Sequence, residues 1–196
     1  PGSGAGLAQS VMLGQGQYYL EYPEDIRLYG LSFSTTLPTG TAWSGEVSYR
    51  PNAPVQINTT DVTRAVLNPI APGTSPVASR FGADNRGYNR KEITQVQTTF
   101  THFFDQVLGA GRVTVVGEIG YAHVGALEST SELRYGRDSI YGTPDDATQL
   151  AAYGDEGFVT ANSWGYRLRA LADYSNVFAG VNLTPNVSFS HDVDGY

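Results

Sequence analysis

From Trp164 to Tyr174 the side chains alternate strictly. Trp164, Tyr166, Leu168, Ala170, Ala172 and Tyr174 share one parity, and Gly165, Arg167, Arg169, Leu171 and Asp173 share the other. A period of two is the repeat of a β-strand, whose successive side chains point to opposite faces. Two other stretches repeat it. Tyr29, Leu31, Phe33, Thr35 and Leu37 interleave with Ser32, Ser34 and Thr36. Pro38-Thr39-Gly40-Thr41 turns the chain, and Trp43, Gly45, Val47 and Tyr49 return with Ser44, Glu46 and Ser48 opposite. Next, Val96, Thr98, Phe100, His102 and Phe104 alternate with Gln95, Gln97, Thr99 and Thr101. After a turn at 105–111, Val113, Val115, Gly117, Ile119 and Tyr121 come back against Thr114, Glu118, Gly120 and Ala122. The tryptophan strand is expected to turn near Ser175-Asn176 and return through Val181, Leu183, Pro185, Val187 and Phe189. Pro185 has no ladder donor, so a bulge or unpaired step is expected there. Consecutive hairpins pair with their neighbours, which predicts one antiparallel sheet in sequential order.

The hairpins fall at about 28–50, 93–124 and 158–193, with Pro51 expected to end the second strand. Their turns are short, while the connections at about 51–92 and 125–157 are long. Long loops are rare inside compact soluble domains, and short turns on one side with long loops on the other are the habit of outer-membrane barrels. The expected fold is therefore all-β: an up-and-down antiparallel transmembrane β-barrel segment, one unit over 1–196. Six strands and a candidate seventh fall short of the roughly eight a closed barrel needs, so the segment is expected to be incomplete. Residues 1–16 are glycine-rich and read as a loop, and Gln17–Tyr22 as a short strand halted by Pro23. Each long loop also carries a helix signal. Thr143 is read as a cap and Pro144 as the first position of a helix over 144–153, stopped by Gly154. Thr60 or Asp61 is read as the cap of a shorter run that must end before Pro69.

Composition narrows the function. No stretch approaches the roughly 18 apolar residues of a membrane helix, so any crossing is made by strands. Tyrosines number 13 against 8 phenylalanines, which suits rings at a lipid–water boundary with the hydroxyl in the wet layer. A formal charge of −7 argues against nucleic acid as a partner. Zero cysteines remove disulfides, zinc thiolates and thiol nucleophiles. Pro1 is followed by no basic and apolar leader, so no signal peptide is visible.

The chemistry-bearing residues point to a wall rather than a catalyst. Glu46, Glu118, Arg167, Arg169 and Asp173 all take the polar parity and are the candidate lumen-lining residues. Arg134 and Arg137, from the second long loop, are candidates to join them. Trp43, Tyr49, Phe104, Tyr121, Trp164 and Tyr174 take the apolar parity and are the candidate membrane-interface aromatics. His102, His123 and His191 also take it, near strand ends, where an interfacial role outweighs metal or catalysis. Asp84-Asn85-Arg86-Gly87 and Asp145-Asp146 lack the spacing of a calcium loop. Gly30-Leu31-Ser32-Phe33-Ser34 lacks both the second glycine and the strand-to-helix turn of a nucleophile elbow. No catalytic residue, cofactor or metal site is assigned, and no enzyme activity is expected.

Tyr19-Leu20-Glu21-Tyr22-Pro23-Glu24-Asp25-Ile26-Arg27-Leu28-Tyr29-Gly30-Leu31-Ser32-Phe33 resembles domain-of-unknown-function family 1302, outer-membrane proteins of pseudomonads and related proteobacteria. Gly45-Glu46-Val47-Ser48-Tyr49-Arg50-Pro51, Gln56-Ile57-Asn58-Thr59-Thr60-Asp61, Val116-Gly117-Glu118-Ile119-Gly120-Tyr121 and Phe189-Ser190-His191-Asp192-Val193-Asp194-Gly195-Tyr196 are similar to it too. The resemblance implies a longer barrel in the bacterial outer membrane, with lipid as its surroundings. It also implies an efflux or periplasmic partner and traffic in small or hydrophobic molecules. It transfers no catalytic or ligand residue. The competing expectation is a soluble or surface-exposed β-protein acting as a binding module, its apolar faces packed on one another.

Overall fold

Seven strands pair into a single antiparallel sheet in the computed structural model, which describes residues 3–137, 139–144 and 146–196. They are β1 (Tyr29–Thr36), β2 (Ala42–Gln56), β3 (Tyr88–Asp105), β4 (Arg112–Val124), β5 (Asn162–Phe178), β6 (Val181–Leu183) and β7 (Asn186–Asp194). β1 to β5 neighbour one another in sequence order, and β6 and β7 both pair with β5. The sequential antiparallel order expected from the hairpins is thus observed, in an all-β architecture with few helices. The sheet is open, with β1 at one edge and β6 and β7 at the other.

Pro185 separates β6 from β7, as its missing donor requires, while its carbonyl still accepts from Ala172 N at 3.1 Å. The last hairpin turns later than expected. β5 runs through Ser175 and Asn176 to Phe178, and the chain reverses at Ala179 (φ 47) and Gly180 (φ 82). Two successive left-handed residues match the twist of a tight hairpin.

The sequence reading ends the second strand at Pro51, but β2 continues to Gln56. Arg50 faces Ile93 and Ala53 faces Lys91, so three steps on β2 oppose two on β3. A bulge is where a strand tolerates proline, and the extra residue reverses the parity of everything beyond it. Val55 therefore falls on the side that carried Glu46 and Ser48 lower down. β3 likewise starts at Tyr88 rather than near 93.

The buried core lies where the two long loops meet the adjoining parts of β2, β3 and β4. Val55, Ile57, Ala65, Val77 and Tyr135 form it, with Ile93, Val124 and Val159 packed alongside. Backbone bridges join Ile57 to Tyr135 and Gly136 to Phe158. Within the first loop, α2 (Thr59–Arg64) runs into a short 3-10 turn at Ala65–Leu67. Its cap is Asn58, which accepts from Thr60 N and Asp61 N, and not Thr60 or Asp61. An Asx cap two residues before Thr60 and three before Asp61 frees Asp61 to turn inward.

Three further expectations need correction. Ser3–Gln15 forms a helix, α1, instead of a loop. Leu7, Ala8, Gln9, Met12, Leu13 and Gln15 are strong helix formers that outweigh the cost of its glycines, although they collect on no single face. Gln17–Tyr22 is not a strand. This segment lies outside the sheet, tethered by Tyr88 Oη to Glu21 at 2.8 Å. Just beyond it, Asn52 Nδ2 donates to the Asp25 carbonyl at 2.7 Å. In the second loop the helix, α3, spans Ala147–Tyr153 and starts after Thr143 and Pro144. Asp146 caps it by accepting from Thr148 N and Gln149 N, because a carboxylate at the N-cap answers both free donors and dipole. Gly154 ends it as expected. Asp145 lies outside the described residues.

Candidate functional site

The register sorts the two faces of the sheet rung by rung. On one face Leu31 opposes Val47, Val47 opposes Val96, Val96 opposes Tyr121, and Tyr121 opposes Trp164. Farther along, Trp43 opposes Phe100, and Leu168 opposes Gly117 on one side and Phe189 on the other. This apolar surface is uncovered: Leu31 is 77% exposed, Ile119 49% and Val187 71%. Phe33 lies across Gly45, where a β-carbon would meet its ring, and meets Trp43 edge-on at 4.7 Å.

All six candidate interface aromatics stand on this face, near its two ends. Polar tips there find partners. Tyr121 Oη donates to Asn162 Oδ1 at 2.7 Å near the long-loop end, and Tyr174 Oη donates to the Leu108 carbonyl at 3.3 Å in a short turn. Trp43 Nε1 donates to Thr98 Oγ1 at 2.8 Å, whose own hydroxyl donates to the Ser44 carbonyl at 3.0 Å. The three histidines also stand on this face. His102 Nδ1 bonds Thr41 Oγ1 at 2.8 Å, His123 Nδ1 bonds Asn162 Oδ1 at 2.9 Å, and the His191 ring meets Tyr166 at 5.6 Å.

The opposite face is hydroxyl, amide and charge. One rung reads Ser34, Ser44, Thr99, Glu118, Arg167 and Ser190, and the next reads Ser32, Glu46, Gln97, Gly120, Gly165 and Asp192. Four of the five candidate lumen residues thus sit within three consecutive rungs, with Glu118 and Arg167 directly opposed. Asp173 lies apart, near the short turns, opposite Arg112 and accepting from Thr184 Oγ1 at 3.2 Å. A trough of about 790 Å³ follows this face toward the long loops, floored by Gly120, Ala122 and Gly165 and walled by Glu46, Gln97 and Asp192.

Arg134 and Arg137 do not join it. Arg134 Nε donates to Asp61 Oδ2 at 2.8 Å and Nη2 to Asp61 Oδ1, a forked pair in which Asp61 is 1% exposed. Both guanidinium groups lie over the buried Phe158 ring, Arg137 at 4.8 Å and donating to the Gly154 and Tyr141 carbonyls. A second latch ties the loops to β3. Lys91 Nζ donates to Glu128 Oε2 and to the Ala126 carbonyl, each at 2.6 Å, and Tyr135 Oη donates to Glu128 Oε2 at 2.7 Å. Sequence reasoning missed both latches. Extending the β3 alternation back to 88 puts Lys91 on the polar face, but nothing local in the sequence pairs Asp61 with Arg134.

Glu128 carries a pH consequence. Burial pushes its carboxyl up, yet the bonds from Lys91 and Tyr135 outweigh burial and hold it below the usual range. A depressed carboxyl contributes stability above its unfolded value of about 4.3, lost as pH falls through the folded value. Amide protection of the 125–137 segment is therefore expected to hold from neutrality to about pH 5 and fall below about pH 4. Glu128→Gln should flatten that acid limb in hydrogen exchange; an unchanged limb would assign it to another group.

The chain belongs to the family described as protein of unknown function DUF1302, whose model matches residues 2–196. No curated protein and no solved structure matches the chain.

Proposed function

Starting from membership of that family, we propose that this chain is a segment of an outer-membrane β-barrel whose polar face lines a path for small molecules. The observation that carries the reading is the pairing of faces across one layer. An uncovered, predominantly apolar surface backs a hydroxyl-, amide- and charge-bearing one. In water such an apolar area is expected to be covered by a second layer; lipid on one side and water on the other satisfies both faces.

Dimensions support it. The strands β2 to β5 have 15, 18, 13 and 17 residues, against roughly 9–11 needed to cross at a 45° tilt. From Trp164 to Tyr174 a strand runs roughly 33 Å, or roughly 23 Å along the membrane normal at that tilt, close to the ~25 Å apolar band of such barrels. On this reading the aromatic positions toward the two ends of the apolar face supply the two girdles. In hydrocarbon the sheet edges at β1 and β6–β7 need hydrogen-bond partners, which further strands of the closed barrel supply. The loop assembly, including α2, narrows the path at one end, and the polar lining suits hydrated solutes over a dry hydrophobic cargo.

Single-tryptophan variants of the protein reconstituted into vesicles test the reading. Trp43 and Trp164 fluorescence should be quenched by brominated acyl chains and shielded from aqueous iodide. Strong iodide quenching without bromolipid quenching would support the soluble binding module instead.

A further inference from the structure

On the polar face Arg167 and Arg169 stand side by side on β5, roughly 7 Å apart by strand spacing. Across the ladder to β7 each faces a hydroxyl, Arg167 opposite Ser190 and Arg169 opposite Ser188. On the β4 side Arg167 faces Glu118, while Arg169 faces Val116. One guanidinium therefore has a carboxylate as cross-strand neighbour and the other does not. Among the described residues neither arginine side chain makes a hydrogen bond or ion pair. A concavity of about 320 Å³ is lined by Val116, both arginines, Ser188 and Ser190, with Leu168 and Phe189 between them in the chain.

We propose that this cluster is an oxoanion-binding station, taking a phosphate or carboxylate group of a passing solute, with Arg169 as its principal anchor. Its place on a solute path rests on the proposed barrel function; the binding itself does not. A guanidinium presents a planar fork of N–H donors that matches two oxygens of such a group. Ser188 and Ser190 add hydroxyl donors from the neighbouring strand. Glu118 offsets part of the charge near Arg167, so an anion is held without being trapped, as passage requires. A plain charged wall needs only positive charge; a station needs the fork.

Arginine-to-lysine exchange separates the two, because lysine keeps the charge and loses the planar fork. The probe is monofluorophosphate, followed by its fluorine NMR shift against the intact protein in detergent micelles. The expected result is a saturable shift, weakened about tenfold in Arg169→Lys and abolished in Arg167→Ala/Arg169→Ala. Glu118→Gln should tighten binding. Equal affinity in wild type and Arg169→Lys would overturn the station in favour of a charged wall, and no saturable shift in wild type would overturn it outright. In planar bilayers the same phosphate probe should block conductance saturably in wild type. Arg167→Lys/Arg169→Lys should keep the wild-type reversal potential while losing the block. Saturable binding in micelles with no conductance in bilayers would leave the station standing and remove the path.

Discussion

Replacing Arg134 with alanine is expected to open the loop assembly while leaving the sheet paired. The loss removes a forked ion pair from a carboxylate that is 1% exposed. A buried charge stripped of its partner costs about 3–5 kcal/mol, far more than the net worth of the intact pair. Arg134 also lies over Phe158, at the junction where Gly136 bridges that residue, so packing is lost with the charge. The effect should be local. Amides of 57–67 and 133–137 should lose exchange protection, while those in the middle of β3 and β4 keep theirs, because ladder strands open only with the whole sheet. Removing both charges together, Asp61→Leu with Arg134→Met, should recover much of the loss, since no unpaired ion remains. Equal damage from the single and the double replacement would mean that shape rather than charge holds the loops.

The contrast between sheet and loops also explains what the sequence made legible. A strand writes its face assignment into every second residue, so the parity of Trp43, Glu46, Glu118, Trp164 and Arg167 was readable without coordinates. Each matched its neighbour in register because a one-residue slip would carry a whole apolar set to the wrong face. The bulge at Pro51 was not readable, since an inserted residue reverses parity and looks like the end of a pattern. Helix starts failed by two or three residues where several cap candidates competed. Asn58 displaced Thr60 and Asp61, and Asp146 displaced Thr143, because Asx side chains reach two free amides at once. The latches were hidden for a different reason. Asp61 and Arg134 are 73 positions apart, and no periodicity relates residues brought together only by loop packing. The charged residues assigned from strand parity stand on one polar face, with Asp173 apart from the other four, whereas Arg134 and Arg137, assigned without parity, lie in the loop assembly.

Ile119→Arg offers the most direct separation of a lipid-facing sheet from a water-facing one. Ile119 lies midway along β4 on the apolar face, between Thr98 and Tyr166, and is 49% exposed. In water an exposed substitution of this kind changes stability by roughly ±0.5 kcal/mol, because arginine is solvated and makes no bad contact. At a bilayer midplane the same arginine costs about 2–4 kcal/mol, declining toward the interfaces. Position then supplies the control. Tyr29→Arg, on the same face at the long-loop end, should cost about 0–1 kcal/mol if that end reaches the interface. The measurement is reversible denaturant unfolding of the protein from lipid vesicles, compared at the two positions. A steep penalty at Ile119 with a shallow one at Tyr29 traces the hydrocarbon depth along the sheet. Equal, small effects at both would place the apolar face in water and overturn the barrel, whatever the polar face binds.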